Sequence, residues 1–292
     1  MNFDVEFRRK IDIVDEALDF YTKPIDNEQS EIYNAMRYSL LSGGKRIRPV
    51  MVLACEELFS NETKSIPFAC ALEMIHTYSL IHDDLPCMDN DDLRRGKPTN
   101  HIVYGEATAV LAGDALLTNA FSVMLKNSKL TPQQTIDAAL VLSDAAGTEG
   151  MIGGQVIDMA SEGKQIDEKT LRTMHLCKTG ALIIAAVKLG AIAGGALSED
   201  ISRLEDFARN LGVAFQIKDD ILDVEGNEAL LGKKTGMDRE NQKTTFVTLY
   251  GLEKSKELLN EYTEKAKKAL AFYGEKAEFL LNLSDYLLKR EV

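Results

Sequence analysis

Two clusters of aspartates stand out in this sequence because each could hold a divalent cation. The first contains Asp83, Asp84 and Asp89 at the end of an apolar stretch, and the second contains Asp219 and Asp223. On a helix Asp219 and Asp223 lie one turn apart, where like charges repel unless a cation lies between them. Oxygen ligands favour magnesium, which usually takes further oxygens from a phosphate. The acidic clusters therefore predict a magnesium site and a phosphorylated substrate, although the first cluster alone could equally be a solvated acidic turn.

Four basic segments accompany the acidic clusters. They occupy positions 43–49, 94–98, 178–180 and 232–236. In a chain whose formal net charge is −12, such residues could simply be solvated partners of neighbouring acids. Arginine forks and lysine ammonium groups are also the groups that bind a diphosphate. Taken alone, neither the acidic clusters nor the basic segments distinguish a diphosphate site from solvated surface charges.

Helical spacing dominates the elements that must position these clusters. Apolar residues recur every three or four positions over 3–18 and 258–270, and the alternation typical of strands is hard to find. The stretches 107–125 and 181–192 are apolar almost all round, which predicts helices buried on several sides. Six prolines and no low-complexity tract leave no evident linker. We expect an all-α helical bundle formed by one domain, residues 1–292.

Composition excludes several classes of function. The acidic excess disfavours a nucleic-acid partner. The first ten residues contain no apolar core of a secretory signal, and lysine and glycines interrupt the apolar stretch 181–197, so we expect no membrane span. The cysteines form no CxxC pair and predict neither a zinc site nor disulfides; they are Cys55, Cys70, Cys87 and Cys177. A cytoplasmic protein is the expectation.

Taken together, the motifs resemble those of the trans-prenyl diphosphate synthases of isoprenoid biosynthesis. The similar segments are GGKRIRP at 43–49, the first aspartate-rich motif at 82–96, the GQxxD element at 153–158, the KT pair at 178–179 and the second aspartate-rich motif at 215–223. They cover about residues 40 to 250 in the family's order. The resemblance implies a helical fold around a deep central cavity, the two aspartate motifs on opposing walls, and a homodimer.

The resemblance also implies roles for individual residues. Three Mg²⁺ ions would be held with the allylic diphosphate by the aspartates Asp83, Asp84, Asp89, Asp219 and Asp223. The allylic diphosphate would lie against Arg94, Lys178, Thr179, Gln216, Lys233, Lys234 and Lys243. Sequence context favours Lys234 over Lys233 but leaves that choice open. Isopentenyl diphosphate would take a metal-free site formed by Lys45, Arg48, His76 and Arg95.

The implied reaction joins isopentenyl diphosphate to dimethylallyl or geranyl diphosphate. Metal ions and cationic side chains would stabilise the departing diphosphate. The Thr179 hydroxyl, the Lys178 carbonyl and the Gln216 amide oxygen would stabilise the allylic cation. The motifs contain no Ser/His/Asp or Cys/His arrangement, so the departed diphosphate would take the final proton.

Product length depends on what closes the cavity. Tyr78 lies five residues before Asp83, about 7.5 Å along a helix axis, and Ser79 follows it. A phenol ring there would stop chain growth after a few isoprene units, although an ordinary core tyrosine is an equally open interpretation. We expect a farnesyl product and keep geranylgeranyl diphosphate as the alternative, because geranylgeranyl-forming relatives share nearly the same 85–92 segment.

Two rival functions use the same kinds of residue. A terpene cyclase would also need magnesium and aspartates, but it would have no use for the isopentenyl-binding cations Lys45, Arg48 and Arg95. A non-catalytic partner subunit of a longer-chain synthase would tend to lose its aspartates, and both clusters are complete here. The synthase interpretation therefore leads.

Overall fold

A computed structural model describes residues 2–225 and 243–288, and within them the chain is almost entirely helical. The α-helices, in chain order, are α1 Phe3–Tyr21, α2 Ser30–Leu40, α3 Ile47–Glu56, α4 Ile66–Asp83, α5 Asn100–Tyr104, α6 Glu106–Asn127, α7 Pro132–Ala146, α8 Met151–Ser161, α9 Glu168–His175, α10 Ala181–Gly194, α11 Ser198–Glu225, α12 Phe246–Tyr250, α13 Leu252–Leu270 and α14 Glu278–Leu288. Strands β1 Leu93–Arg94 and β2 Lys97–Pro98 form an antiparallel pair. The all-α prediction is confirmed.

Two short helical segments of other types join the α-helices. Leu176–Gly180 forms a π-helical turn between α9 and α10, and Ala271–Ala277 forms a 3₁₀ segment between α13 and α14. Isolated π-helical turns are rare and occur often at functional sites because they shift the backbone out of the regular hydrogen-bonding register. The π-helical turn contains Lys178 and Thr179, two of the predicted site residues.

Helix α4 is central to the bundle and nearly all of it is buried. Pro67 occupies its first turn, where the missing amide hydrogen costs nothing. Side chains from Pro67 to Ile75 are buried on every face, as expected for a helix surrounded by others. It packs along α6 and against α1, α3 and α10. The last two turns of α4, which end at Asp83, therefore extend from a part of the helix that is packed on every side.

Helices α3 and α10 approach each other backbone to backbone. A Cβ atom at Gly190 would lie 2.2 Å from the carbonyl oxygen of Val52, and one at Gly194 would lie 2.9 Å from that of Glu56. Only glycine permits such approach, so these positions need it for packing. The contact fixes α3, whose first turn includes Arg48, relative to α10.

Helix α6 has an exposed apolar face, although the sequence predicted burial on several sides. Leu111 and Leu125 lie on an exposed face, whereas α10 is buried as predicted. Both Glu106–Asn127 and Glu168–Gly194 are long and apolar enough to span a membrane by length and composition alone. In the bundle their apolar side chains meet neighbouring helices, chiefly α4 for α6 and α3, α7 and α11 for α10. Core packing therefore accounts for much of their apolar composition.

Candidate active site

A cavity of about 570 Å³ lies between α4, α8, α10 and the π-helical turn. Its charged wall is formed by Arg48, His76, Asp83 and Lys178. Its apolar wall is formed by rings and aliphatic side chains, including Tyr78, His82, Val110, Met151, Ile152, Val156, Met159 and Leu182. Positions 76 and 83 share one face of α4, whereas 78 and 82 lie on a different face, towards α6. The cavity therefore brings together predicted residues from three separate motifs.

The adjacent aspartates Asp83 and Asp84 face different surroundings. Asp83 lines the cavity, where burial raises the pKa of its carboxyl to about 6; Lys178 opposes that shift and Asp89 reinforces it. Asp84 is buried and accepts a hydrogen bond from Arg94 Nε at 2.7 Å. Burial raises the pKa of Asp84 even though Arg94 opposes it. In this structure, Asp83 is therefore the aspartate presented to a ligand, while Asp84 and Arg94 hold the following loop.

The first acidic cluster fits a hard divalent cation through its chemistry. The Asp89 amide donates to the Asp83 carbonyl at 2.9 Å, which keeps the two residues together although Asp89 is exposed. A buried carboxyl with a raised pKa is stabilised in its charged form by a nearby cation. Among residues 2–225 and 243–288 no three acidic, histidine or cysteine side chains already converge on one point. The carboxylate oxygens of Asp83 and Asp89 are the type of ligand that magnesium takes together with water and phosphate.

The π-helical turn presents Lys178 to the cavity. Its backbone lies against α8 at Gly154, where a Cβ would be 2.2 Å from the Lys178 nitrogen. The Lys178 ammonium pairs with Asp158 at 2.5 Å. Burial would raise the pKa of Asp158, but Lys178, with help from Lys243 and His175, lowers it overall. Asp158 therefore positions Lys178, and Lys243 lies within electrostatic reach of the same pair.

The second acidic cluster lies near the end of α11. The charge of Asp219 acts on Arg48, raising the pKa of a guanidinium that burial lowers. Asp219 is thus within electrostatic reach of the charged wall. Asp220 is buried and accepts a hydrogen bond from the Phe246 amide at 2.7 Å, which ties α12 to α11. Gln216 and Asp223 are half-buried on the same helix, and α11 packs against the π-helical turn.

Basic side chains converge on His76, two turns before Asp83 on the same face of α4. Arg48 Nη1 lies 3.4 Å from His76 Nε2, and burial together with Arg48 and Arg95 holds the pKa of His76 well below 6.5. In the described part of the chain, the buried Nε of Arg48 has no hydrogen-bond partner. The Arg95 guanidinium donates to the Gly43 carbonyl and lies against Gly44, where a Cβ would be 2.7 Å away. Converging cations around a neutral histidine form a site for an anion.

The three basic side chains of the GGKRIRP segment have different surroundings. Lys45 is exposed, whereas Arg46 is buried with a left-handed backbone at φ 50°. The Arg46 guanidinium pairs at 2.8 Å with both Glu73 and Asp15. Glu73 also opposes the loss of charge that burial would cause at Arg48. Arg46 and Glu73 are therefore the buried support of the basic site.

The apolar wall contains the predicted length-determining residue. Tyr78 is buried on α4, and burial raises the pKa of its phenol to about 12. Its hydroxyl has no hydrogen-bond partner among the described residues. Ser79 also lines the cavity, and its hydroxyl donates to the His76 carbonyl at 2.8 Å. Packing rather than hydrogen bonding must therefore hold the Tyr78 ring.

The residues that hold the site's side chains in place were not predicted from the sequence. Lys233 and Lys234 lie outside the described residues, so their predicted contact with diphosphate stays a prediction. Glu73 is predictable in part, because it is the one acidic residue of α4 before the helix ends at Asp83, and a charge in an apolar helix needs a buried partner. Asp158 lies in the GQxxD element but received no role. Asp220 could not be distinguished from Asp219 by spacing alone.

Comparison with known proteins is consistent across sequence and structure. A family model described as polyprenyl synthetase matches residues 29–276. The chain is 48% identical over 290 residues to the heterodimeric geranylgeranyl pyrophosphate synthase large subunit 1, chloroplastic, of Arabidopsis thaliana, covering 97% of this chain and 78% of that protein. It is 45% identical over 281 residues to the farnesyl diphosphate synthase of Bacillus subtilis, covering 95% of each.

A solved structure shares the fold. The crystal structure of an FPP/GFPP synthase from Zymomonas mobilis matches with a TM-score of 0.89 and 35% sequence identity, covering 98% of this chain and 99% of that one. Such agreement over whole chains goes well beyond a shared motif. The chain therefore belongs to the polyprenyl synthetase family, the trans-prenyltransferases.

Proposed function

We propose that the chain is a magnesium-dependent farnesyl diphosphate synthase. It condenses isopentenyl diphosphate head-to-tail with dimethylallyl or geranyl diphosphate and releases diphosphate. The supporting observation is a single cavity that has Asp83 and Lys178 beside a half-buried Arg48 and His76 pair, with Tyr78 on another wall. A leaving diphosphate, a second diphosphate and a growing hydrocarbon each have chemically suited surroundings there.

The leaving group needs neutralisation. Asp83, Asp89 and Asp219 would hold Mg²⁺, three ions with substrate bound, and Asp84 and Asp223 would support them. When bound, the metal supplies positive charge that stabilises the departing diphosphate. The described chain brings its own cation to the same place, because Asp158 holds the Lys178 ammonium at the cavity. Arg94 and Lys243, with Lys233 or Lys234, are the further cations proposed to contact this diphosphate.

The allylic cation needs dipoles without nucleophiles. Thr179 lines the cavity beside Lys178, and the π-helical turn takes their backbone out of regular α-helical hydrogen bonding. We assign the Thr179 hydroxyl, the Lys178 carbonyl and the Gln216 amide oxygen to this task. The apolar wall keeps water away from the cation, which prevents its capture.

Isopentenyl diphosphate would bind the basic site formed by Lys45, Arg48, His76 and Arg95. The pKa of His76 lies well below 6.5, because of burial and the surrounding arginines, so its imidazole stays neutral and is a weak base. It can donate a hydrogen bond but is poorly suited to take the final proton. The departed diphosphate, held nearby, is the better acceptor of that proton.

Tyr78 supports the fifteen-carbon product. A buried ring on the apolar wall, roughly one and a half helical turns from Asp83, limits the space for a growing chain. The relatives include both geranylgeranyl and farnesyl synthases, so geranylgeranyl diphosphate is the second candidate product. A terpene cyclase is disfavoured by the basic site, and a non-catalytic subunit by the two complete acidic clusters.

A homodimer in the cytoplasm is the proposed state of the protein. The exposed faces of α6 and α7 present Leu111, Leu125, Ile136 and Leu140, which a second copy would cover. All four cysteines are free thiols, which suits a reducing compartment. Light scattering of the purified chain should give twice the monomer mass, and Leu111→Glu should lower it; an unchanged dimer would remove this surface from the proposal.

Product analysis tests the function. The purified chain is incubated with Mg²⁺, labelled isopentenyl diphosphate, and either dimethylallyl or geranyl diphosphate, and the products are dephosphorylated and separated by chain length. We expect a fifteen-carbon product from both starters, and none when isopentenyl diphosphate is omitted. A twenty-carbon main product would assign the second candidate. Consumption of an allylic diphosphate alone would indicate a cyclase and contradict the proposal.

A further inference from the structure

Part of the apolar wall lies where α4 packs against α6, and we call this contact the seam between the two helices. Tyr78 and His82 lie one turn apart on α4 and face α6, and both line the cavity. Their ring centroids are 5.7 Å apart with an interplanar angle of 77°. The edge of one ring therefore packs on the face of the other, a favoured aromatic geometry.

The His82 ring is held by α6 in two ways. Its Nε2 lies 3.0 Å from the Val110 carbonyl oxygen. A Cβ at Gly113 would lie 2.1 Å from the same Nε2, so the imidazole lies directly on the Gly113 backbone. Gly113 and Val110 are three residues apart on one face of α6. The ring fills the seam between α4 and α6 and cannot easily move within it.

Tyr78 depends on this neighbour. With its hydroxyl buried but unpartnered among the described residues, ring packing fixes its orientation. Removal of the imidazole would leave a void on the side of Tyr78 that faces α6. The phenol could then turn into that void and open the cavity lengthwise.

We propose that His82 is a positioning residue for product length: it fills the seam between α4 and α6 and so keeps Tyr78 across the cavity. The inference rests on the proposed function and deepens it. It assigns the length limit to two adjoining side chains and a glycine on the facing helix, where the sequence indicated Tyr78 followed by Ser79. His82 does not itself have to touch the substrate's reacting atoms.

The test compares products of His82→Ala and His82→Gln with those of the unchanged chain. Gln is close to His in length but lacks the ring, so it retains a polar group for Val110 and still leaves Tyr78 without its packing partner. We expect the ratio of the next longer product to the parental product to rise about 10-fold in both variants. If His82→Ala does not fold, His82→Gln decides.

Two controls separate the length limit from general damage. Tyr78→Ala should lengthen the product and shows that the assay detects lengthening. Met74→Ala truncates a fully buried residue of α4 that lies against Asn119 of α6, outside the cavity lining; it should lower the melting temperature with no change in product length. Parental product length in both His82 variants, alongside a longer product from Tyr78→Ala, would overturn the inference.

A second measurement does not need activity. Melting temperatures of Tyr78→Ala, His82→Ala and the double variant form a cycle, and we expect the two losses to be less than additive. Additive losses would contradict the packing on which the inference depends. If the unchanged chain makes no prenyl product, the proposed function fails in the assay, and this cycle still tests the contact separately.

Discussion

The two walls of the cavity are built by opposite principles. The charged wall holds Asp83, Lys178, Arg48 and His76; there Lys178 opposes the rise that burial causes in the pKa of Asp83, and Arg48 adds to the fall that burial causes in the pKa of His76. The apolar wall holds Tyr78, whose hydroxyl is buried and whose ring is fixed by packing. Electrostatics therefore governs one wall and shape the other.

The difference assigns separate tasks to the two walls. Charge placed where a diphosphate departs changes the rate of reaction, because the developing charge is stabilised in advance. Shape placed along the hydrocarbon changes which product forms, since apolar discrimination depends on the space available. Changes to the charged wall should thus alter rate or stability, and changes to the apolar wall should alter product length.

The largest effect is expected at the end of α4. Asp83→Ala should lower turnover about 10³-fold, because the carboxylate nearest the leaving group is lost. The Michaelis constant for isopentenyl diphosphate should change much less. Steady-state kinetics with each substrate varied in turn measures both constants. A variant that retained turnover would show that Asp83 does not stabilise the departing diphosphate.

The buried support of the charged wall should matter next. Glu73→Gln leaves Arg46 without its buried partner, so we expect the free energy of unfolding to fall by about 3 kcal/mol. Asp15→Asn is the matched control, because Asp15 pairs with the same guanidinium but is exposed, and its loss should cost under about 1 kcal/mol. Urea denaturation measures both variants. Equal losses would show that burial does not distinguish the two pairs.

The dependence of the free energy of unfolding on pH gives a third prediction. Burial lowers the pKa of His175 to about 4, while an unfolded histidine titrates near 6.5. The unfolded state therefore binds more protons between these values, and the free energy of unfolding falls as pH falls through that window. At pH 5 this loss relative to pH 7 is about 2 kcal/mol.

His175→Phe should remove that loss. The ring of His175 stacks on Phe246 at 5.7 Å, so Phe keeps the stacking without a titrating nitrogen. Urea denaturation at pH 7 and pH 5 gives the comparison. An unchanged difference between the two pH values would mean that another group causes the acid sensitivity.

The smallest effect on rate is expected on the apolar wall. Tyr78→Ala should keep turnover within about 10-fold while shifting the product to longer chains, because the ring occupies space without hydrogen bonding. Chromatography of the dephosphorylated products measures the shift. An unchanged product distribution would remove Tyr78 from the length limit.

The sequence predicted the helical class and much of the charged wall because these signals are local. Helical spacing can be recognised within a stretch of about ten residues. Asp83, Lys178 and Arg48 lie in short motifs with few alternative uses. Their convergence on one cavity was expected only from the resemblance, and the fold brings these three to it.

The remaining features depend on partners distant in sequence. Asp83 and Asp84 are adjacent, yet one helical step directs the first to the cavity and the second to Arg94. His82 received no role because its contact at Gly113 lies on another helix. The exposed face of α6 was likewise hidden, since composition does not show which side of an apolar helix lacks a neighbour.

The independence of the two walls can be tested in a double variant. Asp83→Glu combined with Tyr78→Ala should show the reduced turnover of the first change and the lengthened product of the second, measured as product-resolved turnover with labelled isopentenyl diphosphate. Additive behaviour is predicted because charge and shape act on different parts of the substrate. A double variant that regains turnover, or returns to the parental product length, would contradict the account.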